Sequence, residues 1–215
     1  FNSNRSTGLH ITMSWQGEPR GGSKEVEASG ENKEPNKLKM ALLLGDEYLL
    51  SQFDRLTNSY TRSQYRNVLK QAEKMKQGDK QSFLKLQSLL STGVSKEKYS
   101  SIHFKDSYKS DTKSGNQLIE FRIAGGSDYQ EKYDKVTKAV IRYATIMKAG
   151  YDDDAFRKEY IRAISRVVRK SQEIDPKDKE RLNSIEAPVI DAAKEIVSKK
   201  EYFDWYPSYR LAKKN

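Results

Sequence analysis

The sequence predicts an α+β fold: an antiparallel sheet packed with several α-helices, with a helical C-terminal half. Three observations lead there. Leu9–Trp15 and Leu118–Ile123 alternate between apolar and polar residues, the two-residue period of half-buried strands. Over longer segments, apolar residues recur at steps of three and four, the period of amphipathic helices. Glycine- and proline-containing polar stretches separate these segments.

The 215 residues suffice for one sizeable domain or two small ones. Hydrophobic residues make up 35% and charged residues 33%, but the apolar residues are periodic, so the chain reads as globular and highly soluble rather than disordered. The net charge of +10 favours anionic partners: nucleotides, nucleic acid or acidic surfaces. The chain has no cysteine, which excludes disulfides, thiol catalysis and Cys-ligated zinc and is compatible with a reducing cytosol. No apolar run approaches the ~18 residues of a membrane span, and no stretch reads as a signal peptide.

Along the chain, Leu9, Ile11, Met13 and Trp15 form one strand face, with His10, Thr12 and Ser14 on the other. Gly8 lets the backbone turn tightly or approach a ligand. Residues 17–36 are rich in Gly, Glu, Ser and Lys and read as a long mobile loop. From Asn36, helical spacing joins Leu38, Ala41, Leu42, Gly45, Leu49, Phe53 and Leu56 into one long helix. A second helix starts near Thr61 with Tyr65, Val68, Leu69, Ala72 and Met75 inward. A third runs from an Asp79 cap through Phe83, Leu86, Leu89 and Leu90 to Gly93. Tyr99–Phe104 reads as a strand, and the polar segment 105–116 turns it back into Leu118–Ile123 as an antiparallel hairpin. Gly125-Gly126 follows, then Ser127-x-x-Gln130, which matches a capping box for a helix with Tyr129, Tyr133, Val136, Val140, Tyr143 and Met147 as its stripe. Asp152–Asp154 reads first as a cap for the next helix and second as a metal cluster. That helix buries Phe156, Tyr160, Ala163, Ile164 and Val167, and its Arg157, Lys158, Arg162, Arg166, Arg169 and Lys170 make it basic. Asp175-Pro176 and Pro188 start further helices. Tyr202, Phe203, Trp205, Tyr206 and Tyr209 read as a clamp onto the core, with base stacking as the alternative.

The candidate site lies on the two alternating strands. Ile119, Phe121 and Ile123 share a face, and Glu120 and Arg122 share the other. The plain meaning of that pattern is a surface ion-pair ladder. His10 and Glu120 together suit a divalent metal that holds phosphates, and an Arg on the same face can neutralise a phosphoryl group in transfer. No P-loop, Gly-x-Gly-x-x-Gly or His-Glu-x-x-His motif is present.

At these residues the sequence resembles a family. Ser6-Thr7-Gly8-Leu9-His10-Ile11-Thr12-Met13-Ser14 resembles the Gly-x-His-x-x-x-Ser strand of the glutamine synthetase superfamily, and more closely the Ser-Gly-Leu-His-Val-His segment of its amidoligase branch. Leu118-Ile119-Glu120-Phe121-Arg122 is similar to that branch's Thr-x-Glu-Phe-Arg strand, which a glycine turn and a helix follow. The resemblance runs from about residue 5 to 150. It implies a glutamine-synthetase-like catalytic fold over 1–150, with 151–215 as a helical extension packed on it. It also implies an ATP-dependent carboxylate–amine ligase that works through an acyl phosphate, with ATP and Mg2+ (or Mn2+) as cofactors. On that reading His10 and Glu120 hold the metal, Arg122 is catalytic and binds nucleotide, and Ser14 and His103 contact the nucleotide or substrate.

The sequence departs from the family pattern at three points. Thr12 stands where the branch has a second histidine, a poorer metal ligand. His103 stands where the family has Asn. The family's Glu-x-Glu strand would precede Phe1, so the reading expects a C-terminal portion that works with a preceding segment or other subunits. The alternatives are a non-catalytic structural or interaction protein, for instance associated with a phage particle, and a basic nucleic-acid-binding protein. The expected setting is the cytoplasm of a bacterial or phage-infected cell, or a virion, with no membrane association.

Overall fold

Both alternating segments join one antiparallel sheet. The structure, a computed structural model, describes residues 3–4, 6–14, 34–75, 83–105 and 118–171. Strand β1 is Ile11–Met13, β2 is Ile102–Phe104 and β3 is Ile119–Phe121. The order is β1-β3-β2, and β3 pairs antiparallel with both neighbours. The pairing continues past the strand ends, where the Leu9 N–H donates to the Ala124 carbonyl at 3.0 Å and the Lys105 N–H to that of Leu118 at 3.1 Å. Thr12 and His103 flank Glu120, and Ile11 and Ile102 flank Phe121. The register therefore sorts the sheet into an apolar face and a polar one. Ile102, Phe104, Ile119, Phe121 and Ile123 are buried on the apolar side, and Leu9, Ile11 and Met13 pack half-buried at its β1 edge.

The helices are α1 Lys37–Leu43, α2 Asp46–Gln52, α3 Gln64–Ala72, α4 Phe83–Ser91, α5 Tyr133–Tyr151 and α6 Arg157–Ser171. Helix α1 is central, with five consecutive buried residues, Leu38 to Leu42. Met40 and Leu44 pack toward the sheet with Phe53, Tyr143 and Met147. Leu38, Ala41 and Leu42 pack with residues of α3, α4 and α6, including Val68, Leu90 and Ile164. A helix apolar all round is one that other elements surround. Residues 157–168 thus share a core with α1, α3 and α4. Lys39 is buried in the same helix, and its ammonium donates to the Asp152 carbonyl at 2.9 Å.

Several local expectations are corrected. The long helix from Asn36 is two helices, because Gly45 takes φ 67°, where the chain turns left-handed and restarts. Asn36 does cap α1, accepting from the Lys39 N–H. The Ser127-x-x-Gln130 capping box does not form. Asp128 takes φ 54° before a 3₁₀ turn at Tyr129–Glu131, and Gln130 accepts from the Ser3 hydroxyl instead. The α5 stripe is rotated accordingly: Tyr133 is exposed, and Ala139, Tyr143, Ile146 and Met147 are buried. Gly150 lies inside α5, which ends at Tyr151. Asp152 does not cap the next helix: it ends α5 and accepts from the Asp154 and Ala155 N–H groups, and α6 starts later, at Arg157. Trp15, the 17–33 portion of the loop, Asp79, the hairpin tip 106–117, Asp175-Pro176, Pro188 and the aromatic tail lie outside the described residues. Among the described residues, no helix is long and apolar enough to cross a membrane.

Candidate functional site

The polar face of the sheet gathers around one carboxylate. Glu120, in the middle of β3, is 6% exposed. Its Oε1 lies 2.7 Å from His10 Nδ1. Its Oε2 lies 3.4 Å from Lys105 Nζ, 3.5 Å from His103 Nδ1 and 3.8 Å from Arg122 Nη1. The sheet register accounts for all of these. His103 is the cross-strand partner of Glu120, Lys105 follows it at the two-residue period, and Arg122 is two residues along β3. His10 arrives from β1, two residues before Thr12, which faces Glu120.

The distances differ in kind. At 2.7 Å the His10–Glu120 contact is a charge-assisted hydrogen bond, so Nδ1 carries the proton and Nε2 keeps its lone pair. The contacts at 3.4 to 3.8 Å are electrostatic. Burial alone would push the Glu120 carboxyl up, but Lys105, His10, Arg122 and His103 together hold it below the ordinary glutamate value. Burial, with the Arg122 charge behind it, pushes the His10 imidazole below its ordinary value. Near neutral pH, then, an ionised carboxylate orients a neutral imidazole.

Gly8 gives this imidazole room. A Cβ there would lie 3.1 Å from His10 Nε2 and 3.4 Å from Arg55 Nη2. At the same end of the strand pair, where Gly125 pairs antiparallel with Gly8, Gly125 and Gly126 are required by their backbone. Their φ values are 130° and 87°, and a Cβ on Gly126 would fall 2.6 Å from the Phe53 carbonyl oxygen. The Gly126 N–H bonds the Thr7 carbonyl at 2.7 Å, closing the chain beside His10.

Two further groups hold the site without a sequence signal that singles them out. Arg55, 2% exposed, donates through Nη1 to the carbonyls of Arg122, Ile123 and Ala124 at 2.8, 3.1 and 2.6 Å, and through Nη2 to Thr61 Oγ1 at 2.8 Å. One buried guanidinium thus fixes the backbone that carries Arg122 into the glycine turn. Asp46, fully buried, accepts from Ser63 Oγ, the Gln64 N–H and Ser101 Oγ at 2.9, 2.6 and 2.6 Å. It ties the starts of α2 and α3 to the segment leading into β2, which carries His103. Lys105 did have a signal, since it stands two residues after His103 and therefore on its face.

Of the residues the sequence nominated, the structure brings His10, His103, Glu120 and Arg122 together. Ser14 lies one residue past β1 and is exposed, and among the described residues no hydrogen bond ties it to the cluster. Arg122 has its guanidinium 5.9 Å from the Tyr99 ring centroid, and its buried Nε has no hydrogen-bond partner among the described residues. Tyr99 thereby belongs to the wall of the site. The basic helix α6 exposes Arg162, Arg166 and Lys170, one turn apart.

The donors do not form a metal cage of their own. Among the described residues, no three His, Asp, Glu or Cys side chains are arranged to share an ion. The nearest set, His10, His103 and Glu120, has a single carboxylate, and Lys105 and Arg122 stand within 4 Å of it. Like charge at that range disfavours a dication. Comparison with protein-family models, with curated proteins and with solved structures found no match.

Proposed function

We propose that the polar sheet face handles a phosphoryl group, and that the chain serves an ATP-dependent carboxylate–amine ligation. The observation that supports it most is the convergence of His10, Glu120 and Arg122, drawn from strands more than a hundred residues apart, on one cationic face. In this reading a substrate carboxylate oxygen attacks the γ-phosphorus of ATP. The bond to the ADP oxygen breaks, and an acyl phosphate forms. An amine nitrogen then attacks the acyl carbon, the carbon–oxygen bond to phosphate breaks, and the amine gives up a proton. Arg122 lies where it can neutralise the phosphoryl oxygens. His10, held through Nδ1, offers Nε2 as the proton's acceptor. Any Mg2+ or Mn2+ in this reading comes with the nucleotide phosphates, and no step here depends on the protein alone holding it.

The test is ADP formation that depends on both a carboxylate and an amine, screened over amino acids and simple amines with the longest natural chain. Arg122→Ala and Glu120→Ala are expected to lose at least about a hundredfold in turnover. Turnover unchanged in both variants contradicts the reading.

A second reading is a non-catalytic binding or interaction protein that retains the face. Thr12 favours it. This exposed residue sits directly across from Glu120, where the resemblance has a second metal-binding histidine. Phosphate binding without ADP formation in the same screen supports this second reading.

A further inference from the structure

We propose that Tyr60 is the shelf on which the base of a nucleotide stacks while its phosphates reach Arg122. Tyr60 and Tyr99 pair edge to face, with ring centroids 6.0 Å apart and planes at 71°. The Arg122 guanidinium lies 5.9 Å from the Tyr99 centroid and the Lys98 ammonium 5.0 Å from it, both within cation–π range. Tyr99 is therefore engaged by two cations and a ring, whereas Tyr60 is 54% exposed. The Tyr60 ring stands no farther from the guanidinium than the sum of the two centroid distances. An extended nucleotide covers that span from base to terminal phosphate.

The shelf is fixed in place. Thr61 follows Tyr60, and its hydroxyl donates to the Arg122 carbonyl at 3.2 Å and accepts from Arg55 Nη2 at 2.8 Å. The Tyr60 N–H donates to Asn58 Oδ1 at 2.8 Å, and the Asn58 N–H to the Arg55 carbonyl at 3.0 Å. On the far side the Arg62 N–H donates to the Tyr99 carbonyl and the Ser101 N–H to the Arg62 carbonyl, both at 2.7 Å. The bonds that hold the Arg122 backbone thus hold Tyr60 beside it. A ring already held loses little freedom when another ring stacks on it. A lone exposed tyrosine is ordinary surface. A tethered one suits a planar ring with an anionic end when its neighbour is a guanidinium 3.8 Å from its carboxylate, beyond hydrogen-bond range.

All of these residues lie in described segments. Arg122 follows Phe121, which pairs with Ile11 and Ile102. Segments 15–33 and 106–117, outside the described residues, join the strands at the opposite end, past Met13, Phe104 and Ile119.

Placing the phosphates on Arg122 rests on the phosphoryl reading of this face, and placing the base on Tyr60 rests on the aromatic pair. The experiment measures Kd by calorimetry at fixed Mg2+ on the full chain, for ATP, for inorganic tripolyphosphate, which has no ring, and for benzoate. Tyr60→Ala is expected to weaken ATP at least about fivefold, the loss of one stacked base. It leaves tripolyphosphate unchanged, and Tyr60→Phe binds ATP as the wild type does. Tyr133→Ala, an exposed tyrosine on α5, leaves both values unchanged.

ATP binding unchanged in Tyr60→Ala overturns the proposal, and benzoate binding lost in that variant then assigns the shelf to an aromatic carboxylate. Equal loss of ATP and tripolyphosphate also overturns it, because Tyr60 then only supports Arg122. No ATP binding at all overturns it as well. ATP binding that depends on Tyr60 without ADP formation upholds it and removes the ligase reading. ADP formation with the same KM for ATP in Tyr60→Ala does the opposite.

Discussion

His10 Nδ1 and Glu120 Oε1 stand 2.7 Å apart, across the β1–β3 strand pair. That hydrogen bond fixes the imidazole tautomer. The expected state near neutral pH is a neutral ring protonated on Nδ1, which a long-range 1H–15N spectrum of the labelled chain reads directly. Glu120→Gln is expected to shift the balance toward Nε2–H. A ring protonated on Nε2 in the wild type contradicts the geometry.

Arg55 is expected to matter to stability out of proportion to its place in the loop that follows α2. Arg55→Met leaves the buried carbonyls of Arg122, Ile123 and Ala124 short of donors, while relieving the cost of a buried charge. The net loss is expected at about 2–3 kcal/mol in urea unfolding. Arg55→Lys should not rescue it, because one ammonium cannot span three successive carbonyls and the Thr61 hydroxyl. Full rescue by lysine refutes the bridging role.

Asp46→Asn replaces one acceptor oxygen with a donor, which then faces either the Ser63 hydroxyl, bonded to Oδ1, or the Gln64 N–H and the Ser101 hydroxyl, bonded to Oδ2. A cost of about 2 kcal/mol is expected, with hydrogen-exchange protection lost first at the start of α3. Unchanged stability would show that the three donors have other partners.

Lys39 gives a pH signature. Burial pushes its ammonium down to about 8, against the opposing pull of Asp152 and Asp153, while Arg157 adds to the lowering and Asp154 opposes it. The folded chain therefore releases this proton near pH 8, and the unfolded chain releases it near 10.5. Between those values the unfolded state binds more protons, so this group makes stability rise with pH. Above about pH 10 the buried Tyr143 and Tyr160, both raised, work the other way. Measured from pH 8 to 10, the stability of wild type relative to Lys39→Met should rise. A flat difference refutes the assignment.

The sheet was legible in the sequence because alternation is a local signal. Ile119, Phe121 and Ile123 are buried as their spacing requires, and Glu120 and Arg122 share the other face. The side of the sheet that His103 takes was not legible. It depends on the register with β3, and cross-strand hydrogen bonds set that register, not the spacing within either strand. The break at Gly45 was hidden because glycine at a stripe position keeps the helical period while its φ leaves it. The false capping box shows the same limit: Gln130 had the right spacing from Ser127, but the Ser3 hydroxyl took its side chain. Arg55 and Asp46 were invisible for a further reason. Each satisfies backbone groups far along the chain, and such partnerships leave no periodic trace. The metal expectation came from His10 and Glu120 as a ligand pair and from the resemblance, and Lys105, which no motif named, alters the charge that a metal would meet.

The central claim is that the β1-β3-β2 polar face binds a phosphate-bearing ligand. The most direct measurement is a titration of ATP into the 15N-labelled chain, read on the His10 and His103 imidazoles, with Arg122→Ala in parallel. The account predicts saturable shifts of both imidazoles in the wild type, weakened at least about tenfold in Arg122→Ala. ATP that binds without moving either imidazole, or moves them equally in the variant, contradicts it.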